Sequence, residues 1–363
     1  MDKKKISIAV GIVVIIILGF VYMQSAEKSS VKIGAVLPLT GGLAAVGEEI
    51  KNGMDLAIKE SGLTLVIQDG EASPPKSLAA ARQLADVDQV TVILTAFRGA
   101  SLSIASGLQD KDTIIVANTA TTKGMVVSTS TPNLFVIGDE VVRSAAVLGE
   151  YAKKGGMCKN PGAISEQTEV GKSKIMGFGE GLGDVEVVFT ELFDPNTTDF
   201  KTIIAKAKAA NVDCLFAEVR SNATPILLKQ LDENKFFPQV FSTSYSVTPA
   251  IIGQASKTQL DNLTISSTLL NKDNKNTKEF FEAYKQEYGK EATGWGATGY
   301  EMIKLIEKPL KKCGTDAVCI KKELNAVMGV ESALGTLTMS NQEVQLNQFD
   351  IFDIVDGAFI KVQ

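Results

Sequence analysis

Hydrophobic positions fall into three patterns along the 363 residues. One is an uncharged apolar run, Ile6 to Tyr22, placed directly after Lys3, Lys4 and Lys5. Another is a series of short apolar stretches, such as Val31–Leu37, with the length and branched side chains of buried strands. The last is apolar residues at helical spacing, as in Leu43, Val46, Ile50, Met54 and Ala57, the stripe of an amphipathic helix.

Beyond the first run, the two signals alternate. Strands are predicted at 31–37, 63–69, 90–95 and 113–117, with helices at 43–60, 75–86 and 100–110 between them. Pro75 suits a first helical turn. The rhythm resumes with helices at 141–153, 171–181, 200–210 and 223–233, and strands at 162–165, 185–191, 212–218 and 239–242. Helices at 276–288 and 296–312 and strand-like segments at 336–339 and 349–355 complete the pattern. Two βαβ series imply an α/β chain with two doubly wound parallel sheets, each carrying helices on both faces. Ligands of such sheets sit beyond the carboxyl ends of the strands. The turn after the first strand, Pro38-Leu39-Thr40-Gly41-Gly42, combines a hydroxyl, glycines and a helix start. It reads as an anion-receiving corner, because the first amides of a helix are unpaired and the dipole there favours negative charge.

The opening run sets the address. A basic segment followed by an apolar one is an export signal. A cut after Ala26 would place Gln24, and a cut after Ser25 would place Met23, where a small residue is wanted. No cysteine follows for a lipid anchor. At 1.5 Å per residue the run spans about 25 Å, slightly less than a hydrocarbon core. The preferred reading is an uncleaved signal anchor and linker over residues 1–30, lysines inside and the body outside; a cleaved signal is the alternative.

Composition narrows the function. A net charge of −5 argues against nucleic acid as a partner. The chain has no histidine, which removes serine–histidine and cysteine–histidine nucleophile pairs and the commonest metal ligand. Four cysteines in an exported body fit disulfides, with three possible pairings. Cys313 and Cys319 are the natural local pair; Cys158 and Cys214 flank or occupy two strands that could be neighbours. The spacing matches no standard zinc pattern, so no metal is expected. No G-x-G-x-x-G turn or P-loop follows the first strand, so no nucleotide cofactor is expected either. The later string GFGEGLG sits where a helix should end and reads as a cap and turn.

At this point the chain resembles a known family. IGAVLPLTGGLAAVGEEIKNGMDLA, Pro75-Lys76 ahead of a helix, ANTATT after the fourth strand, AKAKAANVDCLF and GYEMIKLIEKPLKKCG occur in order over residues 31 to 360. Together they are similar to the type I periplasmic binding proteins, in the leucine/isoleucine/valine-binding branch, the solute receptors of ABC importers. The resemblance implies two lobes joined by a three-strand hinge. Lobe 1 would hold residues 31–138 plus 269–345, and lobe 2 residues 139–268 plus 346–363, with a ligand enclosed between them. It implies an amino acid or similar small carboxylate-bearing solute, and as partners an ABC permease, its ATPase subunits and the membrane through the N-terminal helix.

The resemblance also implies site residues. Thr119 and Thr121 match positions that hold the ligand backbone, through a main-chain group and a hydroxyl respectively. Arg98 stands where the family usually offers a small hydroxyl residue; it suits a bidentate pair with a carboxylate, or is a solvated strand-end arginine. Gly99, Ala100 and Ser101 open the next helix, with amides that suit the same anion. Val46 and Val170 replace aromatic residues often found in the family. The usual carboxylate near residues 241–245 is missing, where the chain reads FSTSY. Glu218, beside Arg220 and Ser221, is the best substitute partner for an ammonium group, or is merely solvated. Tyr245 suits stacking or hydrogen bonding. Trp295 lines the cleft or packs in the core. If these residues share one site, it is more polar than one made for leucine side chains. The receptor reading is preferred; a ligand-sensing ectodomain is the alternative. An enzyme is not expected, although fold alone does not decide function.

Overall fold

The computed structural model describes residues 31–119, 131–220, 222–247, 249–253, 255, 257–268, 274–346 and 349–362. The predicted N-terminal anchor and Thr121 lie outside these. Among the described residues, no helix is long and apolar enough to cross a membrane.

Along the chain run β1 (Lys32–Leu37), α1 (Ala44–Ser61), β2 (Thr64–Asp69), α2 (Pro74–Asp86), β3 (Val92–Ala96), α3 (Arg98–Gly107), β4 (Ile114–Asn118) and β5 (Leu134–Asp139). Then come α4 (Val141–Lys154), β6 (Pro161–Glu166), α5 (Glu169–Leu182), β7 (Phe189–Phe193), α6 (Lys201–Ala209), β8 (Cys214–Glu218), α7 (Thr224–Glu233), β9 (Gln239–Thr243) and β10 (Leu263–Ser267). Last are α8 (Lys275–Tyr288), α9 (Gly294–Cys313), α10 (Ala317–Asn325), a small hairpin of β11 (Val330–Ser332) and β12 (Gly335–Leu337), β13 (Glu343–Leu346), β14 (Asp350–Val355) and β15 (Ala358–Lys361).

Two sheets make two lobes. The first has the order β2-β1-β3-β4-β5-β13 and is parallel throughout. The second has the order β7-β6-β8-β9-β10-β14-β15, parallel up to β10 and antiparallel beyond it. The chain passes from one sheet to the other between β5 and β6, between β10 and β13, and between β13 and β14.

Both faces of each sheet are covered, which is why the inner strands read as continuous apolar runs. Alternate residues of β1 serve opposite cores. Ile33, Ala35 and Leu37 meet Ile50 and Met54 of α1 and Ile303 and Ile306 of α9; Val36 meets Ala81 and Leu84 of α2. In the second lobe Leu215 and Ala217 face α6 and α7, while Cys214 and Phe216 face α4 and α5. Cys158–Cys214 and Cys313–Cys319 are both disulfides.

Several expectations need correction. Strands β5, β10, β13 and β15 and helix α10 were not legible from periodicity. Strand β7 begins at Phe189, not Val185, because Val185 and Val187 pack against the core from outside the sheet. GFGEGLG ends α5 as expected, with Gly183 as its C-cap at φ 66°, but the residues before Gly183 are still helical. A Cβ at Gly177 or Gly181 would lie 2.2 Å from the Val142 carbonyl or 2.1 Å from that of Ala146, so these glycines let α5 lie directly against α4. The corner after β1 is already filled by the chain's own anion. Asp69 accepts from the Leu39 amide at 2.9 Å and from the Thr40 hydroxyl. Burial draws the Asp69 carboxyl upward, but hydrogen bonds from Thr40, Glu71 and Leu39 outweigh it and hold the group below its ordinary value.

Candidate functional site

A cavity of about 600 Å³ opens where the carboxyl ends of the two sheets face each other. Both sheets carry a switch point there. In the first the strand order reverses at β1 and β3, and the residues just past these strands, Leu43, Phe97 and Arg98, reach the cavity. In the second it reverses at β6 and β8, and Ser165, Glu166 and Glu218 line the opposite wall. The parallel register sets Ser165 beside Glu218.

The first-lobe wall is aromatic and cationic. Phe97 and Trp295 have ring centroids 5.5 Å apart at 33°. Phe97 adopts φ 69°, a left-handed backbone that is costly for an aromatic residue, and its amide donates to the Asn118 carbonyl at 3.0 Å. That conformation turns the chain sharply from β3 into α3, so Arg98 occupies the first helical position. Arg98 pairs across the cleft with Glu169 of α5 at 3.4 Å.

The second-lobe wall is built on two ion pairs. Lys174, on α5, donates to Glu218 and, at 3.0 Å, to the Thr243 hydroxyl. Thr243 donates in turn to Glu218 Oε1 at 2.8 Å. The Lys174 ammonium stands 5.1 Å from the centre of the Tyr245 ring. Arg220 Nε lies 3.3 Å from Glu166 Oε1, without an aligned hydrogen bond. Burial lifts the Glu166 carboxyl above its ordinary value; Arg220 opposes this and the charge of Glu218 adds to it. Burial likewise pushes the Tyr245 hydroxyl upward, with Glu166 contributing.

Four buried side-chain polar atoms among the described residues have no hydrogen-bond partner: Thr95 Oγ1, Asn118 Nδ2, Ser165 Oγ and Glu166 Oε1. The last three belong to residues that line the cavity. A buried polar group left unpaired costs about 1–3 kcal/mol, and three of these four atoms belong to residues around one cavity.

Of the residues expected at a site, Arg98, Gly99, Thr119, Val170, Glu218 and Tyr245 line this cavity, and Trp295 does too. Ala100 and Ser101 do not. Both are buried within the first lobe, and the Ser101 amide and hydroxyl both donate to the Phe97 carbonyl, so Ser101 is not available to an anion. Glu218 is at the cavity but is already engaged by Lys174 and Thr243, which corrects its reading as an open partner for an ammonium group. Sequence reasoning missed Asn118, Ser165, Glu166 and Lys174. Lys174 carried one signal: a lysine among Gly171, Ile175 and Phe178, on the inward stripe of its helix.

A family model described as periplasmic binding protein matches residues 30–351. Leu/Ile/Val-binding protein homolog 3 of Brucella melitensis biotype 1 is 23% identical over 359 residues, covering 93% of this chain and 95% of that protein. The branched-chain amino acid transporter substrate binding protein LivJ from Streptococcus pneumoniae, solved with isoleucine, has TM-score 0.82 at 18% identity, over 92% of this chain and all of that one. A solute binding protein of an ABC transporter from Rhodopseudomonas palustris BisB5, solved with 3,4-dihydroxybenzoic acid, has TM-score 0.79 at 22% identity, over 92% and 97% of the two chains.

Proposed function

The chain belongs to the periplasmic binding protein family, in its type I, leucine/isoleucine/valine-binding-protein-like branch, and we propose that it is the extracytoplasmic solute receptor of an ABC importer. It binds an amino acid or similar small carboxylate-bearing solute between its lobes and hands it to a membrane permease served by ATPase subunits. The carrying observation is the inter-lobe cavity itself, which lies beyond the carboxyl ends of both sheets with Arg98, Phe97 and Trp295 on one wall. Relatives on this fold support the solute class: one was solved with isoleucine and another with a dihydroxybenzoate.

In this reading the lobes are residues 31–138 plus 269–345 and residues 139–268 plus 346–363. They close on the solute, and the crossing segments act as the hinge. Arg98 receives the carboxylate, helped by its place at the first turn of α3. Phe97, Trp295 and Tyr245 enclose the body of the solute. Thr119 and Thr121 add polar contacts, and residues 6–22 tether the receptor to the membrane with its body outside.

The test is the melting temperature of the purified protein against amino acids, amides, short peptides and small organic acids. A solute that binds only the folded state raises it by mass action. A concentration-dependent rise with one carboxylate class supports the reading. A flat response to all carboxylates refutes it. Membrane fractionation of the full chain against a variant lacking residues 1–26 tests the tether.

A further inference from the structure

The charges around the cavity are balanced before any solute arrives. Three acidic side chains occur among its described lining residues: Glu166, Glu169 and Glu218. Each has a cation from the chain itself: Arg220 at 3.3 Å from Glu166, Arg98 at 3.4 Å from Glu169, and Lys174 on Glu218. The Lys174–Glu218 side chains are only 8% and 4% exposed. We propose that Lys174 and Arg220 take, from within the chain, the places beside the buried acids that a solute's ammonium group would need, so that the cleft selects carboxylates carrying no amino group. This rests on the receptor reading above and narrows its solute class.

The argument is one of desolvation. A buried ammonium is tolerated only beside a counter-charge. Here each buried acid already holds one, and a second cation at Glu218 would crowd Lys174 in a low-dielectric place where like charges repel strongly. A carboxylate meets the opposite situation. Glu169 is 68% exposed, so it can turn to water and give up its place beside Arg98 to an incoming carboxylate. The exchange replaces one carboxylate with another and preserves the balance. The unpartnered groups agree. Asn118 Nδ2 can only donate, and Ser165 Oγ can donate, which suits carboxylate, carbonyl or hydroxyl oxygens. Phe97 and Trp295 offer an apolar, partly aromatic wall for the remainder of the molecule.

The experiment is calorimetric titration of the full-length protein in detergent with matched pairs that differ only in the amino group. The panel runs over short, branched and aromatic skeletons: alanine and propanoate, leucine and 4-methylpentanoate, phenylalanine and 3-phenylpropanoate. The expected result is at least tenfold tighter binding of the amino-free member wherever a skeleton binds. An amino acid that binds as tightly as its partner, or more tightly, overturns the inference and leaves the receptor reading standing. No binding by any member of either series overturns the carboxylate reading and the inference with it. Lys174→Met provides the residue-level check: with Glu218 uncovered, the preference should move at least tenfold toward the amino acid, and Lys174→Arg should retain the wild-type preference. An unchanged preference in a folded Lys174→Met protein removes Lys174 from the explanation. Should Lys174→Met not fold, the wild-type pairs still decide.

Discussion

Lys174 of α5 and Glu218 at the end of β8 form an ion pair in which both side chains are more than nine-tenths buried. Thr243, at the end of the neighbouring strand β9, closes the arrangement by bonding both. Forty-four positions of sequence separate the partners, and the pair fixes the height of α5 against the carboxyl ends of β8 and β9. Removing one partner strands a buried charge. Lys174→Met is expected to lower unfolding free energy by about 3–5 kcal/mol, and Lys174→Met with Glu218→Gln to regain at least half of that loss. Urea unfolding of the two variants beside wild type measures both; equal loss in the single and double variants would contradict the coupling.

Arg98 should matter to binding of the solute. Its pair with Glu169 joins a largely exposed carboxylate, and such pairs contribute about 0–1 kcal/mol. Arg98→Ala is expected to weaken binding of the true solute at least tenfold, about 1.4 kcal/mol. Unaltered affinity in a titration would exclude Arg98 as the carboxylate partner.

Gly171 lets two cavity residues come close to α5. A Cβ there would lie 2.2 Å from the Glu166 carbonyl and 2.5 Å from Ser165 Oγ. Because the nearest atom is backbone, the strand end or the helix must move. Gly171→Ala is expected to cost about 1–3 kcal/mol and to displace Ser165 and Glu166, weakening binding as well. Thermal melts and titration report the two effects separately.

Glu301 supplies a pH test. It is buried in the first lobe, accepts from the Ala333 amide at 2.6 Å, and has its carboxyl pushed up to about 7 by burial, against the pull of that amide and of Lys304. A folded value above the unfolded one means the folded state binds the proton more strongly. The group therefore does no harm at low pH, and stability falls as pH rises from about 4.5 to 7. Glu301→Gln keeps an acceptor for Ala333 and removes the titration. Its stability should exceed wild type at pH 8, and the difference should vanish near pH 4; a constant difference across that range would contradict the assignment. Asp69 works in the opposite sense. Its depressed carboxyl stabilises the fold above its unfolded value near 3.8, and that contribution is lost only as pH falls below it.

The two disulfides should contribute unequally. They join cysteines 56 and 6 positions apart. In the chain-entropy account the longer loop is worth about 2 kcal/mol more, through the logarithm of the length ratio. Replacing Cys158 and Cys214 by alanine should therefore lower the denaturant midpoint clearly more than replacing Cys313 and Cys319.

The sequence by itself determined the alternation of strands and helices, the doubly wound class and the local cysteine pair. These follow from short-range facts: continuous apolar runs such as VILTA and IIVAN, the apolar stripe of α1, and six positions between Cys313 and Cys319. It also placed Arg98, Thr119, Val170 and Tyr245 in loops and helix starts past strand ends, where cavities of such sheets form. Strands β10 and β13, LTISS and EVQL, escaped notice because their polar residues find partners only after folding. Thr264 donates to Asp353 and Ser266 to the Ser144 carbonyl, pairs separated by 89 and 122 positions. Tertiary structure alone decided which charges are spent. Asp69 fills the corner that looked open to a solute, Lys174 occupies Glu218, and Asn118, Ser165 and Glu166, which line the cavity, each keep one buried side-chain atom without a hydrogen bond. A side chain's type states what it can bond; only the packing of distant segments, with its desolvation, settles whether that capacity is used inside the chain or kept for a solute.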